Sequence, residues 1–267
     1  MKVPRILHYP GSKWSMAEWI INHMPPHTTY LEPYFGSGAV LFNKQPATLE
    51  TINDISGDVV NLFRIIREQP DDLIRVMQWT PYARDEYVSA HEQSELPLEQ
   101  ARRFLVRCWQ SIRVKTGSIS GWRCRATSDD AYRVQQWNDL PGNIASVAGR
   151  LKNVQIENRP ALQVIGRYNH PDVLIYADPP YLQTGRNGAI YENEMSVEDH
   201  AELLDGLLAH TGPAILSGYD SLLYNTRLAD WRREERQQII EAGKSRTEVL
   251  WINPVAAGQV GQLVWNL

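Results

Sequence analysis

Residues 178–181 read Asp-Pro-Pro-Tyr and follow the apolar run Val-Leu-Ile-Tyr-Ala. A carboxylate at the end of a strand lies at the carboxyl edge of its sheet. Proline fixes φ and removes a backbone N–H donor. Pro179 and Pro180 therefore leave mainly acceptors at that edge: their carbonyls and the Asp178 carboxylate. Such a set suits a neutral exocyclic amino group, which offers two N–H donors. Tyr181 adds an aromatic face, and stacking a planar base on it is worth about 1–3 kcal/mol. The same four residues also describe a strand stop and a loop, so the tetrapeptide needs company before it means chemistry.

Residues 31–40, Leu-Glu-Pro-Tyr-Phe-Gly-Ser-Gly-Ala-Val, are the first such company. A strand ends at Glu32 and Pro33, Phe35-Gly36-Ser37-Gly38 turns tightly, and a helix starts near Ala39. Glycines let backbone turn sharply and approach a ligand closely. The third position of a GxGxxG fingerprint is Leu41, and the lysine of a P-loop is missing, so phosphate binding is not required. Asp54, 16 residues after Gly38, ends the next strand candidate. A carboxylate there suits ribose hydroxyls, as in dinucleotide sites. Ahead of the first strand, Tyr9-Pro10-Gly11-Ser12-Lys13 places a turn at Gly11 and a cation at Lys13 that can reach over the same site.

These residues need a sheet to deliver them. Short apolar runs at 28–32, 50–54, 153–158, 172–178, 213–219, 247–253 and 262–267 predict strands. Helical patterns lie between several of them. Residues 57–69 carry apolar positions at three-to-four spacing. Residues 196–210 open on Ser196 with Asp199 three places on, close to a capping box. Strands alternating with helices predict an α/β fold with a mostly parallel sheet. The last two runs are joined only by Pro-Val-Ala-Ala-Gly-Gln-Val-Gly, which predicts an antiparallel final pair. From about 70 to 150 the alternation stops and the pattern is helical, then Gly/Ser/Arg-rich at 115–130. This predicts an insertion, with 1–69 and 151–267 forming one domain and 70–150 a second.

The composition of the 267 residues is that of a globular protein, 43% hydrophobic and 22% charged. No apolar run is long enough for a membrane helix. The first residues do not read as a secretory signal, and the expectation is a cytoplasmic protein. Two cysteines, Cys108 and Cys124, and seven scattered histidines give no metal spacing, so no metal is expected. The net charge of −4 conceals a local feature: residues 100–128 contain no acid but hold Arg102, Arg103, Arg107, Arg113, Lys115, Arg123 and Arg125. This reads either as a phosphate-binding segment or as a solvated face balanced by acids elsewhere. Trp122, flanked by Gly121 and Arg123, is either a nucleic-acid contact or a loop residue packed back onto the insertion.

Taken together, the motifs resemble the DNA adenine-N6 methyltransferases in which the cofactor motif precedes the target-recognition region and the catalytic motif follows it. Phe-Gly-Ser-Gly at 35–38 stands at the family's cofactor loop, and Asp-Pro-Pro-Tyr at 178–181 is identical to its catalytic tetrapeptide. Residues 9–13 match its N-terminal cofactor segment and Ile52–Ser56 its ribose-binding strand end. Arg246–Asn253 is also similar. The resemblance covers roughly 7–68 and 153–254. It implies a Rossmann-like methyltransferase sheet, mostly parallel with an antiparallel C-terminal pair and an inserted, mainly helical target-recognition domain. It further implies S-adenosylmethionine as cofactor, no metal, and double-stranded DNA as partner for a monomeric, bacterial or phage-encoded enzyme. Asp178, Pro179, Pro180 and Tyr181 become the catalytic residues. Tyr9, Pro10, Gly11, Lys13, Glu32, Pro33, Phe35, Gly36, Ser37, Gly38, Asp54, Asn158 and Asp178 become cofactor contacts. Arg113, Lys115, Ser118, Trp122, Arg123 and Arg125 become DNA contacts. Gly185 and Gly188 imply a loop that orders on DNA. Where the family often has an acid after its strand at 153–158, this chain has Asn158-Arg159-Pro160-Ala161, with Glu157 or Asn158 as the substitute. The tetrapeptide alone also fits methylation of RNA adenine, cytosine N4 or protein glutamine, and a non-catalytic nucleic-acid-binding module is a further alternative.

Overall fold

The apolar runs alternate their side chains between two faces, and each face is buried. The computed structural model describes residues 3–112, 119–124, 131–182, 193–239 and 245–265. Its strands are β1 (Thr29–Glu32), β2 (Leu49–Asn53), β3 (Val154–Glu157), β4 (Val173–Ala177), β5 (Ala214–Tyr219), β6 (Arg232–Ile239) and β7 (Ser245–Ile252). They form one sheet in the order β3-β2-β1-β4-β5-β7-β6. The first five pair in parallel, and β7 runs antiparallel to both β5 and β6.

Successive strand residues point to opposite faces. Tyr30, Ile52, Leu174, Tyr176 and Ile215 enter one apolar cluster, while Leu31, Val173, Ile175, Ala177 and Leu216 enter another. Helices α8 (Ala161–Arg167), α9 (Val197–Leu208) and α10 (Leu222–Arg227) cover the second face with Val164, Leu203, Leu207 and Tyr224. The first face is covered by α1 (Ala17–Ile21), α2 (Ala39–Asn43) and α3 (Gly57–Glu68). It is also covered from the 70–150 region, by α4 (Pro70–Gln78), α5 (Arg84–Ser89), α6 (Pro97–Gln110) and α7 (Ala131–Leu151). Leu73, Tyr87, Phe104, Trp137 and Ile144 of these helices share one cluster with Phe63 of α3 and Ile52 of β2. The helical region therefore packs directly on the core of the sheet.

The chain lays down β1, β2 and β3 outward in one direction, then returns past β1 to place β4 and β5. The connections leaving β1 and β4 diverge, and an open crevice forms at such a reversal, at the carboxyl ends of the strands. Glu32 is the last residue of β1, while Asp54 and Asp178 are the first residues after β2 and β4. Three carboxylates thus reach the same edge.

The C-terminal antiparallel pair exists, but its members differ from those expected. Residues 254–265, which include most of the run at 262–267, form helix α11 (Pro254–Trp265). Asn253 starts it: its side-chain oxygen accepts the Ala256 N–H at 2.9 Å, and Pro254 occupies the first helical position. The true partner of β7 is β6, whose sequence Arg-Arg-Glu-Glu-Arg-Gln-Gln-Ile shows no apolar alternation. It is an edge strand, and charged residues on an edge suppress pairing with other chains.

Candidate active site

The glycine turn after β1 is the first wall. Gly36 and Gly38 adopt φ of 50° and 69°, a region that glycine enters at no steric cost. The two serve different ends. A Cβ on Gly36 would stand 3.2 Å from the Tyr9 ring, so its absence lets Tyr9 close over the turn. A Cβ on Gly38 would overlap the rings of Phe35 and Phe42, so Gly38 serves packing and does not line the cavity. Asp54 ties the end of β2 to this turn by accepting the backbone N–H of Gly36 at 2.8 Å and of Ser56 at 2.9 Å. Burial raises its carboxyl pKa, and those N–H bonds oppose the rise. A 2.8 Å bond between the Ser12 and Ser37 hydroxyls fastens the N-terminal loop to the same turn.

These parts enclose a cavity of about 300 Å³. Tyr9, Pro10, Gly11, Lys13, Glu32, Pro33, Phe35, Gly36, Ser37, Asp54 and Asp178 all line it. Asn158 does not. Its amide donates to the carbonyls of Asp54 and Ile55 at 2.7 and 3.2 Å and so supports the end of β2. The wall on that side is Pro160, Ala161 and Leu162 at the start of α8. Tyr34, Tyr176 and Asp199 also line the cavity, although the sequence pointed to none of them as a site residue. Asp199 could have been found, because the capping box it forms with Ser196 fixes the start of α9 beside the site. Glu32 is fully enclosed and accepts the Tyr30 hydroxyl at 2.8 Å. Burial pushes its carboxyl up to about 8; the Tyr30 bond opposes this, and the negative charge of Asp178 adds to it.

At the cavity rim, Asp178 accepts two bonds on one oxygen. Its Oδ1 takes the Ser217 hydroxyl at 2.7 Å and the Lys13 ammonium at 2.9 Å. Lys13 Nζ also donates to the Gly11 carbonyl at 2.8 Å and lies 3.5 Å from Glu248 Oε1. It sits 4.5 Å from the centre of the Tyr181 ring. The Tyr181 hydroxyl donates to Glu248, and the ring meets Tyr219 edge-on at 4.4 Å. Pro180 lines the cavity, Pro179 is buried behind it, and Tyr181 lies outside the cavity wall. Among the described residues, no group of three or more His, Cys, Asp and Glu is arranged to hold a metal ion.

The arginines of α6 are committed elsewhere. Arg102 pairs with Glu99 and Glu86, Arg103 with Glu99, and Arg107 with Asp58 of α3. The first part of the acid-free window is thus paired with acids within the protein. Trp122 is half-buried against Tyr82, donates to Gln110 at 3.1 Å and carries the Arg84 guanidinium 5.0 Å from its ring. Arg123 donates to the carbonyls of Ser111 and Ile112. Arg113, Lys115, Ser118, Arg125, Gly185 and Gly188 lie outside the described residues.

The sequence model of the D12 class N6 adenine-specific DNA methyltransferases matches residues 9–246. The chain belongs to this family. It is similar to the DNA adenine methylase of Serratia marcescens, at 24% identity over 90% of each chain. It is also similar to the DNA adenine methylase of Escherichia coli K12, at 20% identity over 90% of this chain and 87% of that one. The type II methyltransferase M1.LlaDCHI of Lactococcus lactis is 24% identical over 73% of this chain and 75% of that one. The D12 membership makes the chain an adenine-specific DNA methyltransferase, and it makes S-adenosylmethionine the cofactor and DNA the substrate. The matched span includes both the glycine turn and the Asp178 rim, the two halves that the fold brings to one edge. No helix among the described residues is long and apolar enough to cross a membrane.

Proposed function

We propose that the cavity holds S-adenosylmethionine and that the rim receives N6 of an adenine turned out of double-stranded DNA. The protein works as a metal-free monomer in a bacterial cytoplasm, with residues 70–150 reading the target. The observation that carries this reading is the place of Asp178. It lines the cavity built by the glycine turn, as Lys13 does, and through Lys13 it joins Tyr181 and Glu248, which lie outside the cavity wall.

The residues fit the cofactor. Gly36 leaves open the space that a side chain would take from Tyr9. Glu32 is a buried acid whose ionised form a cationic ligand would favour. Asp54 stands at the end of β2, where ribose hydroxyls are accepted in related sheets. Ile55, Pro160 and Leu162 add apolar wall for a planar base. Bound there, S-adenosylmethionine supplies a methyl group already made electrophilic by a positively charged sulfur.

The chain's own residues then have to orient a weak nucleophile. The lone pair of the adenine amino group is delocalised into its ring. The Ser217 and Lys13 bonds to Asp178 fall on Oδ1, which assigns Oδ2 to the incoming N–H. A second N–H goes to the Pro179 carbonyl. Two such bonds favour a pyramidal nitrogen and fix its direction, and orientation of this kind lowers a barrier by several kcal/mol. Asp178 Oδ2 accepts the proton once the nitrogen carries positive charge. Turning the base out of the duplex costs a few kcal/mol, and stacking on Tyr181 offsets part of this.

Asp178→Asn keeps the shape and removes the charge. Methyl transfer should fall by about 100-fold or more, while calorimetry still detects S-adenosylmethionine binding. Near-normal transfer by this variant refutes the assignment.

A further inference from the structure

We propose that Glu248, on β7, is a positioning residue for methyl transfer: it holds the Tyr181 ring by its hydroxyl and holds Lys13 against Asp178. The inference rests on the reading of Asp178 and Tyr181 as the substrate-facing residues.

Glu248 is an acid on a buried strand, 2% exposed. Burying a carboxylate is costly unless it is paired and hydrogen-bonded. Its cross-strand neighbours are Tyr219 on β5 and Arg236 on β6. Two partners of its side chain come from loops far away in the chain. One is the hydroxyl of Tyr181, at the end of the Asp-Pro-Pro-Tyr segment. The other is the ammonium of Lys13, in the N-terminal loop.

The consequence is geometric. Lys13 lies between two carboxylates, 2.9 Å from Asp178 and 3.5 Å from Glu248, with its charge over the Tyr181 ring. Tyr181 is fixed at its hydroxyl by Glu248, and its ring packs nearly perpendicular to that of Tyr219. Glu248 neither lines the cavity nor hydrogen-bonds to Asp178. It therefore acts through Lys13 and Tyr181, setting the direction of Asp178 Oδ2 and the plane on which the base lies.

The test is single-turnover methylation of unmethylated DNA by Glu248→Ala, Glu248→Gln, Tyr181→Phe and the double variant Glu248→Ala/Tyr181→Phe. S-adenosylmethionine affinity is measured alongside by calorimetry. Glu248→Ala should slow transfer by about 100-fold, the cost of a misplacement near 1 Å, with cofactor affinity nearly unchanged. Glu248→Gln, whose amide oxygen still accepts the tyrosine hydroxyl, should recover part of the rate. The double variant should be no slower than the slower single one, because the two groups act as a unit. A wild-type rate in Glu248→Ala, additive effects in the double variant, or loss of cofactor binding in step with the rate would each overturn the proposal. If Glu248→Ala does not fold, Glu248→Gln and Tyr181→Phe carry the same comparison. Asp178→Asn is assayed in parallel. If it is active, the site reading itself is wrong. If it is inactive while Glu248→Ala is fully active, only the role of Glu248 is lost.

Discussion

Glu32 carries the clearest pH signature in the site. Its carboxyl is pushed up to about 8 from an ordinary 4.5, chiefly by burial. Between those values the folded state binds more protons than the unfolded chain, so stability falls as pH rises through that window. Glu32→Gln can still accept the Tyr30 hydroxyl but does not titrate. The melting temperature of the wild type should therefore drop relative to Glu32→Gln as pH rises from 4.5 to about 8. Equal pH dependence in both proteins would show that Glu32 is ionised throughout. At this scale, legibility followed from chain position. Glu32, Asp54 and Asp178 end apolar runs, and a strand's end is fixed by the strand itself. Glu248 was not legible, because its meaning comes from Tyr181, 67 residues earlier. Asn158 was only half legible: its position after β3 was right, but its amide serves the backbone of Asp54 and Ile55.

At the scale of elements, α6 shows why charge runs mislead. Its arginines looked free because their acids lie outside the 100–128 window, at Glu99, Glu86 and Asp58. Arg107 also donates to the Ala90 carbonyl, so it joins α6 to α3 and to the end of α5. Arg107→Ala should lower stability by about 1–3 kcal/mol, the usual loss when a charged hydrogen-bond partner is removed from a part-buried site. The slope of DNA affinity against salt should not change, because that slope counts phosphate contacts. A shallower slope with unaltered stability would return Arg107 to the DNA surface. The two misread elements have a common cause. β6 is an edge strand stabilised on one side by β7, so it needs no apolar alternation. In α11 a single Asn-Pro start outweighs an apolar run that resembles a strand.

For the whole molecule, the sheet order explains why the motifs at 35–38 and 178–181 form one site. The reversal between β1 and β4 places the glycine turn beside Asp178, and the 70–150 helices pack on the neighbouring core without separating them. The sequence carried the parallel sheet and its strand ends. It did not carry the packing of α4–α7 onto α3, since apolar helix faces do not name their partners. Net charge is equally silent at this scale, at −4 for a protein that must meet DNA. The central proposal is that Asp178 receives the amino group of adenine. The direct measurement is mass analysis of nucleosides after unmethylated DNA and S-adenosylmethionine are incubated with the protein and, separately, with Asp178→Asn. The expected product is N6-methyl-2′-deoxyadenosine from the wild type and almost none from the variant. A methylated cytosine, methylation of RNA alone, or equal product from Asp178→Asn would contradict it.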